Sequence, residues 1–146
     1  MGRCYNSVVI DAPAGDVWAV LRNFHDLGWA PEVVTKVEAV GGREADQIGA
    51  RRILNDAFHE TLLSLDDRGR TLSYSIDDGP GPVSKEAVRN YVGRVSARPV
   101  TLDGRTFVEW ESTYDSPDDA SVGDLCNPIY QALLRALQAH FGGKRS

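Results

Sequence analysis

The sequence predicts an α+β fold: a curved seven-stranded antiparallel sheet wrapped around a long C-terminal helix, with two short helices after the first strand. Three observations lead there. Six β-rich segments succeed one another between Val33 and Tyr114, joined by short links rich in Gly, Asp and Pro, which makes an antiparallel meander. A strand followed at once by a helical pattern precedes them. One long segment with helical spacing, through Leu125, Ile129, Leu133, Leu137 and Phe141, follows.

Each element has a local reason. Tyr5 to Ile10 is β-branched and aromatic, and Asp11-Ala12-Pro13 ends it with a proline suited to a first helical turn. In residues 13–24, Val17, Trp18, Val20, Leu21 and Phe24 keep helical spacing, and Asp16 lies near the positive end of the helix dipole. A second, shorter helical turn is expected at His25 to Leu27, stopping at Gly28. Strands are expected at Val33–Val40, Ala50–Leu54, Phe58–Leu65, Thr71–Ile76, Arg89–Val100 and Arg105–Tyr114, separated by signals such as Gly41-Gly42, Asn55-Asp56 and Asp103-Gly104. In the last helix Ser121 and Asp124 form an S-x-x-D capping box, and Gly142-Gly143 closes the end. Asn127-Pro128 requires that helix either to start at Pro128 or to bend there, leaving the Asp124 carbonyl free.

Length and composition narrow the function classes. At 146 residues the chain fits one domain, 1–146, and 42% hydrophobic with 25% charged residues is a globular composition. No apolar run is long enough for a membrane span, and no apolar signal segment follows Arg3, so a cytoplasmic protein is expected. The net charge is −5, and the arginines are scattered, which argues against nucleic acid as a partner. Cys4 and Cys126 stand far apart and the three histidines are dispersed, so neither a metal nor another cofactor is expected. HExxH, GxSxG, Walker and GxGxxG motifs are all missing from the sequence.

Strand parity identifies the side chains on the concave face, because cross-strand neighbours share a face. A two-residue turn at Asp103-Gly104 would pair Leu102 with Arg105 and Trp110 with Ala97. Tyr91, Val95, Trp110 and Tyr114 then lie inside, and Glu109 and Glu111 outside. Tyr74 and Ile76 point inward from their strand. Pairing Leu54 with Phe58 sets Arg52 opposite Glu60 on the cavity face and turns Leu63 and Leu65 outward. Two readings of Arg52 and Glu60 stay open: a buried ion pair that fixes register, or a polar contact for an otherwise greasy ligand. Tyr74 and Tyr91 are either core aromatics or ligand contacts. Trp29, between Gly28 and Pro31, is placed at the cavity base and Trp18 in the helix-to-sheet core. His59 neighbours Glu60 but points to the other face, so a His-Glu catalytic pair is not expected.

The order of elements, together with VVIDAPAGDVWAVLRNF at 8–24, Trp29-Ala30-Pro31, HETLLSLDDRGRTLSYSI at 59–76, Arg89-Asn90-Tyr91 and VEWESTYDSP at 108–117, resembles the helix-grip fold of the SRPBCC superfamily. The resemblance covers the whole chain and lies closest to the polyketide cyclase/dehydrase-like branch, with similarity also to START domains, the birch-pollen allergens and the plant abscisic-acid receptors. Similarity to those receptors implies that Glu60, Tyr74, Ile76, Asn90-Tyr91, Leu125, Ile129 and Leu133 face a ligand. Their ligand-holding lysine is replaced here by Ala39, their gating loop is reduced to Asn55-Asp56-Ala57, and a further carboxylate aligns with Trp110.

The expected function is binding, by carriage or sequestration, of a hydrophobic, ring-containing small molecule such as a polyketide or lipid, by a monomer or homodimer. The expected ligand-binding residues are Trp29, Arg52, Phe58, Glu60, Leu62, Tyr74, Ile76, Tyr91, Trp110, Tyr114, Leu125, Ile129 and Leu133. The alternative is a polyketide aromatase/cyclase or dehydratase-type enzyme in which Glu60 is the acid/base, Arg52 tunes it, and Tyr74 and Tyr91 orient carbonyls. A second alternative is an interaction module with an incidental cavity. Residues 77–88, with Gly79-Pro80-Gly81-Pro82, are expected to form a flap over the cavity mouth or an ordinary connection.

Overall fold

Strand β1 (Gly2–Ile10) pairs with the last strand of the sheet, β7 (Arg105–Asp115), and not with its successor in sequence. It therefore closes one edge of a sheet whose remaining strands follow chain order. The computed structural model describes residues 1–142. It holds β2 (Val37–Val40), β3 (Arg51–Leu54), β4 (Phe58–Asp66), β5 (Thr71–Asp78) and β6 (Arg89–Val100) in the order β1-β7-β6-β5-β4-β3-β2, every pair antiparallel. Helix α1 (Ala14–Leu21) packs on β6 and β7, and α2 (Asp119–Gly142) lies along β1 and β7. Sheet and α2 enclose the core, and the helix-grip architecture is the one expected. Among the described residues, no helix is long and apolar enough to cross a membrane.

The second short helix does not form. After Leu21 the chain makes successive turns, with Asp26 N–H donating to the Asn23 carbonyl and Ala30 N–H to the Leu27 carbonyl. Gly28 and Pro31 limit any helix here to a turn, and the Asp26 carboxylate accepts the Gly28 N–H at 2.8 Å instead. Strand β2 begins at Val37 and not at Val33, because the Asn55 side chain captures the backbone there, accepting from Thr35 N–H and donating to the Val33 carbonyl.

The β6–β7 hairpin differs from the expected register by two residues. Val100 faces Arg105 and Trp110 faces Val95, so the connection is the four residues 101–104, with Gly104 at φ +73° and its N–H on the Val100 carbonyl. An even slip keeps every side chain on its face. Trp110 is accordingly buried, while Glu111 pairs with Arg3 and Glu109 with Arg98 outside. In β4 parity does change. Leu63 is the extra residue of a bulge and is exposed, and Leu65 then faces Leu72 and packs against the core, contrary to the outward position expected.

Helix α2 starts earlier than the Ser121-Asp124 box implied. Asp118 caps it, accepting the Ser121 N–H at 3.2 Å and the Ser121 hydroxyl at 2.6 Å. Pro128 lies inside the continuous helix, which excludes a start there. Having no N–H, Pro128 leaves the Asp124 carbonyl without its helical donor. Gly142 ends the described helix, and Gly143 lies outside the described residues.

Candidate functional site

The β3–β4 connection aims the first pair of functional side chains. Asn55 and Asp56 both adopt positive φ, near +55°, a conformation that Asn and Asp tolerate better than other side-chain-bearing residues, and the tight turn fixes Leu54 opposite Phe58 and Arg52 opposite Glu60. Both charged side chains point into the fold and are only 7% and 6% exposed. Arg52 donates through Nε to Glu60 Oε1 at 2.8 Å, places Nη2 at 2.6 Å from the same oxygen, and donates Nη1 to the Phe24 carbonyl at 2.9 Å. Its guanidinium lies over the Phe24 ring, 3.8 Å from the centroid. Burial raises the Glu60 carboxyl above its usual range, against the opposing pull of Arg52.

The second feature is a chain of phenols. Trp110 Nε1 donates to the Tyr74 hydroxyl at 2.9 Å, Tyr74 and Tyr130 hydroxyls meet at 3.2 Å, and Tyr130 also bonds Tyr91. Tyr130 stacks on Trp110 with centroids 5.5 Å apart. Glycine makes room for the arrangement: Gly93 faces Tyr74 across β5–β6, and a Cβ on it would fall 2.2 Å from Tyr74 Cζ. Asn90, in positive φ where β6 carries an extra residue, adjoins Tyr91 and donates to Asp115. Burial raises all three phenols well above the ordinary tyrosine value, so they stay protonated. The Cys126 thiol is pushed up to about 11 by burial and is correspondingly unreactive.

These residues surround a cavity of about 40 Å³ between sheet and α2. Of the expected site residues, Arg52, Phe58, Glu60, Tyr74, Ile76, Tyr91, Trp110, Ile129 and Leu133 line it. Four do not. Trp29 sits beside a separate small crevice behind Tyr74 and Trp110, because the turns after α1 carry it there. Leu62 is fully buried in the core, and Leu125 is half-buried on α2. Tyr114 is stacked behind Tyr91 at 5.5 Å, with its hydroxyl near Cys4 Sγ and the Asp119 carbonyl. Four lining residues escaped sequence reasoning: Leu27, Leu54, Cys126 and Tyr130. The signal for the last two was present, since Val122, Cys126, Tyr130, Leu133 and Leu137 form a buried stripe at helical spacing, rotated from the leucine and isoleucine pattern.

His59 is exposed on the other face, opposite Asp78. His25 Nε2 meets the Arg51 carbonyl at 3.1 Å and so ties the post-α1 turns to β3. Trp18 is core, its indole donating to Asp67. Among the described residues, no three potential metal ligands gather. An open surface groove of about 640 Å³, separate from the cavity, runs between Trp29, Val33 and the Ala132, Arg135, Ala136 face of α2.

A sheet gripping one long helix over an aromatic interior defines a helix-grip protein. The chain belongs to the family described as polyketide cyclase / dehydrase and lipid transport, whose sequence profile matches residues 1–142. No curated protein matches it in sequence. Among solved structures it is similar to a protein of Nitrosospira multiformis, 41% identical over 98% of this chain and 99% of that one, with a TM-score of 0.94. A Thermobifida fusca protein is 27% identical over 98% and 95%, with a TM-score of 0.80. Norcoclaurine synthase from Thalictrum flavum, solved with dopamine and hydroxybenzaldehyde, shares the fold at 14% identity over 99% and 88%, with a TM-score of 0.75.

Proposed function

We propose that this protein binds a hydrophobic, ring-containing small molecule between the sheet and α2, and carries or sequesters it. The observation that carries the reading is the composition of the cavity wall: rings and aliphatic side chains throughout, with polarity confined to the Arg52–Glu60 pair, the phenol chain and the Cys126 thiol. A wall of that kind supplies apolar burial with a few orienting contacts. The two ring compounds held by norcoclaurine synthase support the capacity of this fold for such ligands.

A cavity of about 40 Å³ holds a few water molecules, whereas ligand pockets run to roughly 300–1,000 Å³, so binding needs an opening. Two adjoining segments supply it in this reading. Residues 77–88 leave β5 and turn through Gly79-Pro80-Gly81-Pro82; Asp77 accepts from Thr61 and Ser75, Asp78 accepts the Gly79 and Lys85 N–H groups, and Val83 and Val88 are buried. Residues 122–128 of α2 precede the missing hydrogen bond at Pro128. The test is titration with 1-aminoanthracene, a neutral fluorescent ring compound. Saturable binding reversed by other neutral ring compounds is expected, and no saturable binding, or displacement only by nucleotides, would refute the reading.

One observation favours a second reading. A buried carboxyl with a raised pKa beside an arginine suits general acid–base work, which makes Glu60 the candidate acid/base of a cyclase or dehydratase with Arg52 as its tuner. Glu60→Gln separates the two: turnover would collapse, whereas affinity for a neutral ligand would change little.

A further inference from the structure

We propose that the Tyr74–Tyr130–Tyr91 chain selects, among ring compounds, those that present a hydrogen-bond-accepting oxygen, with a carbonyl as the simplest case. The inference rests on the ring-binding reading above and names the ligand class for the same cavity. It follows from counting protons. An indole N–H only donates, and each phenol holds a single proton. Trp110, Tyr74, Tyr130 and Tyr91 therefore bring one proton each, but they are joined by only the three contacts Trp110–Tyr74, Tyr74–Tyr130 and Tyr130–Tyr91.

One donor is left over however the hydroxyls rotate. Extending the chain does not remove it. The Cys126 thiol beside Tyr91 brings a proton of its own. So does the Ser112 hydroxyl beside Tyr91. Only a group that accepts without donating ends such a chain. Among the described residues none of the four donates to a carbonyl or carboxylate, and Glu60 directs its hydrogen bonding to Arg52. Because burial keeps the phenols neutral, the surplus persists across the physiological pH range. A hydrocarbon against this wall leaves a buried donor unsatisfied, and a ligand carbonyl satisfies it.

The experiment compares acetophenone, labelled with 13C at its carbonyl, with α-methylstyrene, which has the same shape but carries a methylene in place of the oxygen. After each affinity is corrected for partition between water and cyclohexane, acetophenone should bind at least about tenfold tighter. Its bound carbonyl resonance should lie downfield of its position in cyclohexane, and its methyl protons should show Overhauser contacts to the Tyr91 and Tyr130 rings. In the quadruple variant Tyr74→Phe, Tyr91→Phe, Tyr130→Phe, Trp110→Phe, which removes all four protons, the resonance should return toward the cyclohexane value. Should that variant not fold, the wild-type resonance and contacts decide alone. Equal corrected affinities, a cyclohexane-like carbonyl, or methyl contacts to Arg52 without the tyrosines overturn this inference and leave ring binding standing. Failure of both compounds to bind overturns the two together.

Discussion

The Tyr74 ring packs against Gly93, its partner across β5–β6, so closely that a Cβ on the glycine would fall 2.2 Å from Tyr74 Cζ. The glycine thereby sets the height of the hydroxyl that receives the Trp110 indole and meets Tyr130. Gly93→Ala must push the ring off the sheet and strain a packed interior, at a cost of about 1–3 kcal/mol. Urea denaturation measures it. In a Tyr74→Leu background most of the cost should vanish, because the clash is with the ring; an undiminished cost would place the effect in the backbone.

The Arg52–Glu60 pair is buried on both sides, so removing one partner strands the other charge. Arg52→Met should destabilise by about 3–5 kcal/mol. The double variant Arg52→Met, Glu60→Leu should recover most of that loss, since no unpaired charge is left in the interior. Two single variants and the double, unfolded in urea, complete the cycle.

Glu60 also predicts a pH dependence. Its folded pKa is raised by burial above the ordinary value of 4.5, so the folded state holds its proton more tightly than the unfolded chain. The stability from this group is fully present below about pH 4.5 and is lost as pH rises through the folded value. Subtracting the profile of Glu60→Gln from that of the wild type isolates the contribution: the difference should fall with rising pH across this window and then level off. A difference that rises instead would mean that Arg52 outweighs desolvation.

At the start of α2, Asp118 rather than Ser121 caps the helix. Asp118→Ala should cost about 1 kcal/mol, and Asp124→Ala, at an exposed position beyond the cap, should cost less. Thermal melts of the two variants compare them directly.

Alternation was enough to assign the inner face. The hairpin at Asp103-Gly104 is longer by two residues than its turn signal implies, yet Tyr91, Trp110 and Tyr114 keep their side because the slip is even. Leu65 shows what alternation cannot see: the bulge at Leu63 comes from the fit of β4 to β5 and leaves no mark in the pattern of either strand. Asn55-Asp56 signalled its turn, and with it the Arg52–Glu60 pairing, through residues that accept positive φ. Tyr130 was harder to find, because a tyrosine on a helix reads as a surface residue until Cys126 and Leu133 are placed on the same stripe. The size of the cavity had no sequence signal. It depends on how four rings and one helix pack, and here they nearly fill the space.

Amide chemical-shift mapping during titration with 1-aminoanthracene tests ligand binding between sheet and α2 most directly. Saturable, one-site shifts are expected at Glu60, Tyr74, Tyr91, Cys126, Ile129 and Tyr130, with slowed amide exchange in 77–88 and 122–128 relative to Thr71–Ile76. Shifts confined to the surface groove between Trp29 and Arg135, with the interior residues unmoved, would contradict binding between sheet and α2.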